Sequence, residues 1–193
     1  ESSGFHAMCK KLLGENVAVL EQTIQLLDPR QVSRAVDLLR RSRRVVCMGQ
    51  GSSMVLSEEA WTLFSTVSPK FLFVPDSHLQ MNTLALMDPD ELVLFFSYSG
   101  STRDFQDLLE VARQRQVKVV LVSRFPKSPG GQLADVVLQC GADEGPLQAG
   151  SVNARMAQLF VLDVLFQEFC MRAPEETEQS REQIAEAVAR KHL

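Results

Sequence analysis

The chain has 193 residues, of which 45% are hydrophobic, 23% charged and 7% aromatic; this balance excludes disorder, collagen and coiled coil, and predicts one globular domain whose core needs no metal or disulfide. Lysine and arginine total 20 against 24 aspartate and glutamate, a formal charge of -4, which leaves no chain-wide electrostatic footprint for nucleic acid.

From residue 5 to 27 the apolar side chains Met8, Leu12, Leu13, Val17, Leu20, Ile24 and Leu27 recur at steps of three and four, the period of one helical face. Asp28-Pro29 ends this helix and caps a second, whose face carries Val32, Ala35, Val36 and Leu39. The run Arg40-Arg41-Ser42-Arg43-Arg44 comes next; cations at a helix C-terminus complement its dipole, which accounts for the cluster more simply than a nucleic-acid patch does. Short, near-continuously apolar runs then follow at 44–48, 71–74, 92–96, 118–122 and 136–139. Helical patterns separate them at 54–65, 78–86, 102–114 and, briefly, around Gln132, with turn chemistry at Asp88-Pro89-Asp90 and 126–131. Strands apolar on both faces alternating with helices predict a five-stranded parallel sheet in an α/β fold. A long helix at 150–171 and a charged one from Pro174 complete the chain, with no repeat or linker between.

The four cysteines, Cys9, Cys47, Cys140 and Cys170, form no C-x-x-C pair and have no histidine at ligand spacing. They read as reduced, mostly buried thiols, with no metal site and no cofactor implied. The longest apolar stretches, such as 92–96, are far below the roughly 20 residues that cross a bilayer. No signal peptide is present, and the expectation is a cytoplasmic chain without a membrane partner.

In an open parallel sheet, ligands collect beyond the carboxyl ends of the strands where the strand order reverses. Two loops at such positions stand out. The first strand is followed by Gly49-Gln50-Gly51-Ser52-Ser53 and the third by Ser97-Tyr98-Ser99-Gly100-Ser101-Thr102, each running into a helix. Glycines bring the backbone close to a ligand, hydroxyls donate hydrogen bonds, and helix N-terminal amides add unpaired donors with positive dipole character. For one such loop, capping by serine or threonine is an equal explanation. Two loops converging at one sheet edge carry more hydroxyls than capping requires, so the pair predicts an anion site suited to a phosphate monoester.

Other phosphate-binding signatures fail on spacing. A P-loop needs a lysine that neither Gly51 nor Gly100 is followed by. A dinucleotide fold wants a small residue where Met54 stands, and Asp76 at the ribose-acid distance would leave the second serine loop unexplained. A receiver domain would place its phosphoacceptor aspartate at the end of the third strand, where this chain has Ser97.

Gly49-x-Gly51-x-Ser53 together with Ser97-x-Ser99-Gly100-x-Thr102 resembles the SIS (sugar isomerase) domain, which binds phosphosugars. The resemblance spans about 43–171 and narrows to the MurR/RpiR-type bacterial transcription regulators through Asp76-x-His78, Glu144-Gly145-Pro146-Leu147 and Ser151-x-x-x-Arg155-x-x-Gln158-Leu159. It implies a three-layer αβα sandwich of the flavodoxin-like kind, preceded by two helices and often dimeric. It also implies that Ser53, Ser97, Ser99 and Thr102 hold the phosphate, with Gly51, Ser52 and Ser101 assisting. His78 and Glu144 become candidates for the sugar hydroxyls, although His78 reads equally as a solvent-facing residue at a helix start, and Glu144 as a solvated loop acid. Arg155 reads as an ion-pair or dimer residue before a ligand contact. Residues 1–42 form a helical linker or dimerisation segment packed on the sheet domain at 43–193. The full regulators carry an N-terminal helix-turn-helix domain, which is expected to be missing here, in keeping with a chain that opens at Glu1 rather than methionine.

Two functions follow from that resemblance. In a sensor, a sugar phosphate shifts the balance between arrangements of a homodimer or higher oligomer, and DNA is engaged only through the missing domain. In an aldose–ketose phosphate isomerase, a base and a polarising group move a proton between sugar carbons, and His78 and Glu144 are the obvious pair. The expectation is a sensor and not an enzyme.

Overall fold

The computed structural model describes residues 2–142 and 151–189, the side chains of Ser2 and Ser3 excepted. The chain opens with α1 (Ser2–Leu26) and α2 (Pro29–Arg41). Asp28 caps α2 by accepting the Arg30 amide at 2.8 Å, with Pro29 in the first turn where its missing donor is harmless. Then come β1 (Val45–Gly49), a 3-10 turn (Gly51–Ser53), α3 (Met54–Ser65), β2 (Phe71–Phe73) and α4 (Ser77–Ala85). The order continues with β3 (Leu92–Phe96), α5 (Arg103–Gln114), β4 (Lys118–Ser123), α6 (Pro129–Leu133), β5 (Val136–Gln139), α7 (Val152–Met171) and α8 (Pro174–Ala189). The apolar runs thus all become strands with ends moved by at most one residue: the buried Gly49 and Ser123 extend β1 and β4, while Arg44 and Val74 fall outside β1 and β2.

The sheet is parallel throughout, in the order β2-β1-β3-β4-β5. The chain leaves β1 toward one side to make β2, then returns to place β3 on the other. The order reverses between β1 and β3, and Gly49 at the end of β1 sits in register with Phe96 at the end of β3.

Alternate strand residues feed two cores. On one face Val45, Cys47, Leu92, Leu94 and Phe96 pack against α2, α3 and α7. On the other Val46, Met48, Val93 and Phe95 pack against α4 and α5. The result is the three-layer αβα sandwich. Phe64 of α3 stacks on Phe71 of β2 at a 4.3 Å centroid distance and meets Phe166 and Phe169 of α7 edge-on at 5.3 and 5.2 Å. Cys47, Cys140 and Cys170 are buried free thiols, while Cys9 on α1 is exposed.

The first helix departs from the pattern its periodicity suggests. Phe5, Met8, Leu12, Leu13, Val17 and Ile24 are exposed, and only the C-terminal part of the helix meets the domain, through Val19 and, just beyond it, Leu27 against the core. Among the described side chains of the helix, Thr23, a polar residue, is the one fully covered. Periodicity reports which face of a helix is apolar and leaves open whether anything covers it. Among the described residues, no helix is long and apolar enough to cross a membrane.

At the amino edge of the sheet, Glu91 is 1% exposed and bonded by Arg44 at 2.9 Å, by Arg43 at 3.1 Å and by the Asp88 amide at 2.9 Å. Burial pushes its pKa up, but the hydrogen bonds from Arg44 and the Asp88 amide, with the charges of Arg44 and Arg43, outweigh this and leave it below the usual carboxylate range. Because the folded pKa is depressed, the stabilisation is complete above the unfolded carboxylate's pKa of about 4.3 and is lost as pH falls through the folded value. Glu91→Gln is expected to destabilise the fold by about 2 kcal/mol at neutral pH, less than a fully enclosed pair since both arginines reach water. The difference in melting temperature from the parent should shrink steadily as melts are run toward pH 3; a constant difference would refute the assignment.

Candidate functional site

The register of β1 on β3 brings the two serine-bearing loops side by side at the carboxyl edge of the sheet. Between them lies a cavity of about 280 Å³ lined by Gln50, Gly51, Ser52, Ser53, Ser97, Tyr98, Ser99 and Thr102, with Phe95 and Phe96 at its base. A third wall comes from α7 through Ala154, Arg155 and Gln158. The size suits a compact ligand better than a dinucleotide. Gly51 and Gly100 adopt φ of 57° and 61°, left-handed values that only glycine enters without penalty. A side chain on Gly100 would also overlap the Ser128 hydroxyl.

The hydroxyls divide into two kinds. Ser97, 7% exposed, accepts the Gly100 amide at 3.1 Å, and Ser99 accepts the Ser101 amide at 3.2 Å. Both oxygens thereby keep their own protons available to donate into the cavity. Ser101 instead turns its hydroxyl to the Ser99 carbonyl at 3.0 Å and is not part of the lining. It shapes the loop.

Helix capping shows what the other hydroxyls are not doing. Asp28, Asp76, Ser128 and Ser151 each cap the helix they precede with a side-chain oxygen. Ser53 before α3 and Thr102 before α5 hold the same position and make no such bond. Both residues line the shared cavity; Thr102 is extended at the start of α5, whereas Ser53 is already helical at the end of the 3-10 turn, where its amide donates to the Gln50 carbonyl at 3.1 Å and that of Met54 to the Gly51 carbonyl.

The structure separates the remaining sequence candidates. His78 is exposed in the first turn of α4 and does not line the cavity. Asp76 caps that helix through the Leu79 amide at 2.9 Å. Two residues beyond His78, the fully buried Gln80 points inward instead, donating to the Gly49 carbonyl at 2.9 Å and the Val74 carbonyl at 2.8 Å. It pins the exits of β1 and β2 together and so positions the first loop. Glu144 lies outside the described residues. Arg155, expected as an ion-pair or dimer residue, supplies a cation to the cavity lining.

Gln50, Gln80 and Gln158 carry roles that motif reading had not assigned. Gln158 is 1% exposed and donates to the Val122 carbonyl at 3.5 Å from a face otherwise made of Ala154, Ala157, Val161, Leu162 and Leu165. A lone amide interrupting an apolar helical face was the available signal. Among the described residues no cluster of histidine, cysteine and acidic side chains could hold a metal ion. The lining named above contains neither carboxylate nor imidazole among the described residues. The Cys47 thiol on β1 is pushed well above its ordinary range by complete burial, which leaves it unreactive. A larger cleft of about 480 Å³ near Arg113, Lys118 and Asp135 lies at the opposite, amino edge of the sheet, and its Lys118–Asp135 pair is satisfied at 3.0 Å.

Known proteins are similar to this chain in sequence and in fold. The chain is 27% identical over 161 residues to the HTH-type transcriptional regulator YbbH of Bacillus subtilis, covering 83% of this chain and 57% of that protein. It is also 27% identical over 136 residues to the HTH-type transcriptional regulator RpiR of Escherichia coli, covering 70% and 46%. The chain thus spans about half the length of these curated relatives. The Vibrio vulnificus NanR protein, solved in complex with ManNAc-6P, superposes with a TM-score of 0.89 at 25% identity, over 94% of this chain and 69% of that one. Residues 38–167 match the SIS domain, and with two thirds of its length inside that match, its parallel sheet and its paired serine loops, this chain belongs to the SIS domain family.

Proposed function

We propose that the chain is the phosphosugar-sensing effector domain of an RpiR-type DNA-binding transcriptional regulator of carbohydrate metabolism. The observation that carries this reading is the pair of helix starts at the β1/β3 junction where Ser53 and Thr102 make no side-chain cap, while Asp28, Asp76, Ser128 and Ser151 cap theirs. Two helix starts with their positive dipole ends, the hydroxyls of Ser53, Ser97, Ser99 and Thr102 and the Arg155 guanidinium, all at one cavity, suit a doubly charged phosphate. The glutamines Gln50 and Gln158 suit the hydroxyls and amide of a sugar. Relatives named as helix-turn-helix regulators, and NanR bound to ManNAc-6P, support a cytoplasmic sensor. Its DNA contacts belong to a separate helix-turn-helix domain of the parent polypeptide, and residues 1–42 link that domain to the homo-oligomeric sensor. The relatives named as transcriptional regulators favour sensing over isomerisation.

Thermal melts against hexose, amino-sugar and N-acetylamino-sugar phosphates, with the unphosphorylated sugars alongside, test this. A ligand at a hundred times its Kd adds about 2.7 kcal/mol, which for a domain of this size raises Tm by roughly 5–10 °C. The phosphorylated sugar should stabilise and its parent sugar should not, and NMR should recover the ligand unchanged. Stabilisation by no sugar phosphate would overturn the phosphosugar reading, and isomerised product would make the chain an enzyme.

A further inference from the structure

The segment leaving β5 ties the second serine loop to the first helix. Tyr98 lies between Ser97 and Ser99 and lines the cavity; its hydroxyl donates to the Ala142 carbonyl at 2.8 Å. The same carbonyl accepts Arg124 Nε at 3.0 Å. On the other side of this segment, the Gly141 amide donates to Thr23 Oγ1 at 2.9 Å and the Ala142 amide to Gln22 Oε1 at 2.9 Å. Residues 141 and 142 are therefore clasped between the loop and the last two turns of α1. The fit is close: a Cβ on Gly141 would lie 2.9 Å from Gln22 Oε1, Thr23 Oγ1 and the Val19 carbonyl. Ala142 itself is held at φ 75°, a region alanine enters only when its surroundings hold it there.

This clasp matters because, beside the packing of α1 along α7, it is the hydrogen-bonded link between α1 and the segment after β5. Thr23 is the buried residue of the helix among those described, and the turns before it run exposed. The direction in which α1 leaves the domain thus depends on its packing along α7, on Val19 and Leu27 against the core and on the Gly141–Ala142 contact, of which only the last reaches the serine loop.

We infer that Tyr98, Ala142 and the Gln22–Thr23 pair form a relay through which a phosphosugar in the serine loops fixes the docking of α1. The inference rests on the phosphosugar reading above and names its regulation. A ligand that immobilises Ser97 and Ser99 immobilises Tyr98 between them, and the Tyr98 hydroxyl holds the Ala142 carbonyl. With that peptide held, both amides present themselves to Thr23 and Gln22, so bound ligand favours docked α1. Linkage makes the effect reciprocal: loosening α1 must weaken ligand.

Amide hydrogen exchange of the whole chain, with and without N-acetylmannosamine 6-phosphate and with inorganic phosphate as the simplest anion, reads both directions. Ligand should slow exchange at Gly141, Ala142 and the last two turns of α1 by about tenfold. Tyr98→Phe should abolish that slowing even at saturating ligand and, with no ligand present, speed exchange at the same amides. Gly141→Ala, which wedges α1 away without touching the cavity lining, should weaken ligand about fivefold. Thr23→Val, which removes the acceptor and keeps the shape, should do the same if the wedge proves too disruptive to fold. Bound ligand with unchanged exchange in α1, or unchanged affinity in a folded Gly141→Ala or Thr23→Val, overturns the relay and leaves the phosphosugar reading standing. Faster ligand-free exchange in Tyr98→Phe, with neither probe bound by the parent, overturns sensing of these ligands and keeps only the mechanical link.

Discussion

Replacing Ser97 and Ser99 together with alanine is expected to reduce affinity for the sugar phosphate by at least about a hundredfold, because each hydroxyl donated to a phosphate is worth about 1.5–3 kcal/mol. Both oxygens already accept amides of their own loop, from Gly100 and Ser101, so their protons remain available to a ligand in the cavity and their removal strikes binding first. The fold pays a smaller penalty. Gly100 is buried, and losing its acceptor at Ser97 costs about 1–2 kcal/mol. Calorimetric titration beside a thermal melt separates the two effects. A cooperative melt a few degrees lower with binding gone supports the assignment; affinity within about threefold of the parent would remove the second loop from the site.

Phe64→Ala should give the largest loss of stability, about 4 kcal/mol, as expected for a buried aromatic whose cavity cannot close. Phe64 is fully buried and touches three other rings, one from β2 and two from the last two turns of α7. Rings held by separate elements cannot all move inward together, so the void persists. Urea unfolding checks this, with Leu86→Ala as the comparison. Leu86 is 80% exposed, and its truncation should stay within about 0.5 kcal/mol. Equal losses at the two positions would contradict the packing described here.

Phe64 and Leu86 illustrate what local sequence reading conveys. Both are apolar residues at the inner period of a helix or its end, and nothing nearby in the chain distinguishes them. The same holds for α1, where Met8, Leu12 and Val17 repeat as faithfully as Val32 and Val36 of α2. Only the second set is covered within the chain. A helical stripe signals the phase of an amphipathic face, and coverage depends on an element that can be far away in sequence.

The candidate site divides along the same line. The strands were legible because doubly covered strands are apolar throughout, and the two loops because glycine and hydroxyl residues at strand-to-helix turns are a local signature. From these the sequence by itself determined the α/β class, the serine loops and their suitability for a phosphate. Convergence of the two loops at one sheet edge was also an expectation of the sequence; tertiary structure supplies the register, Gly49 beside Phe96, that makes them walls of one cavity. It decided that α7 closes the cavity with Gln158, that Gln80 rather than His78 turns inward from α4, and that Ser101 shapes its loop instead of facing the cavity. It also decided that a threonine, Thr23, is the residue through which the first helix meets the segment after β5. Each of these is a contact between residues distant in sequence, whose energy arises from shape and hydrogen-bond complementarity formed only on folding, whereas the loops and strands are set by chemistry that neighbouring residues already carry.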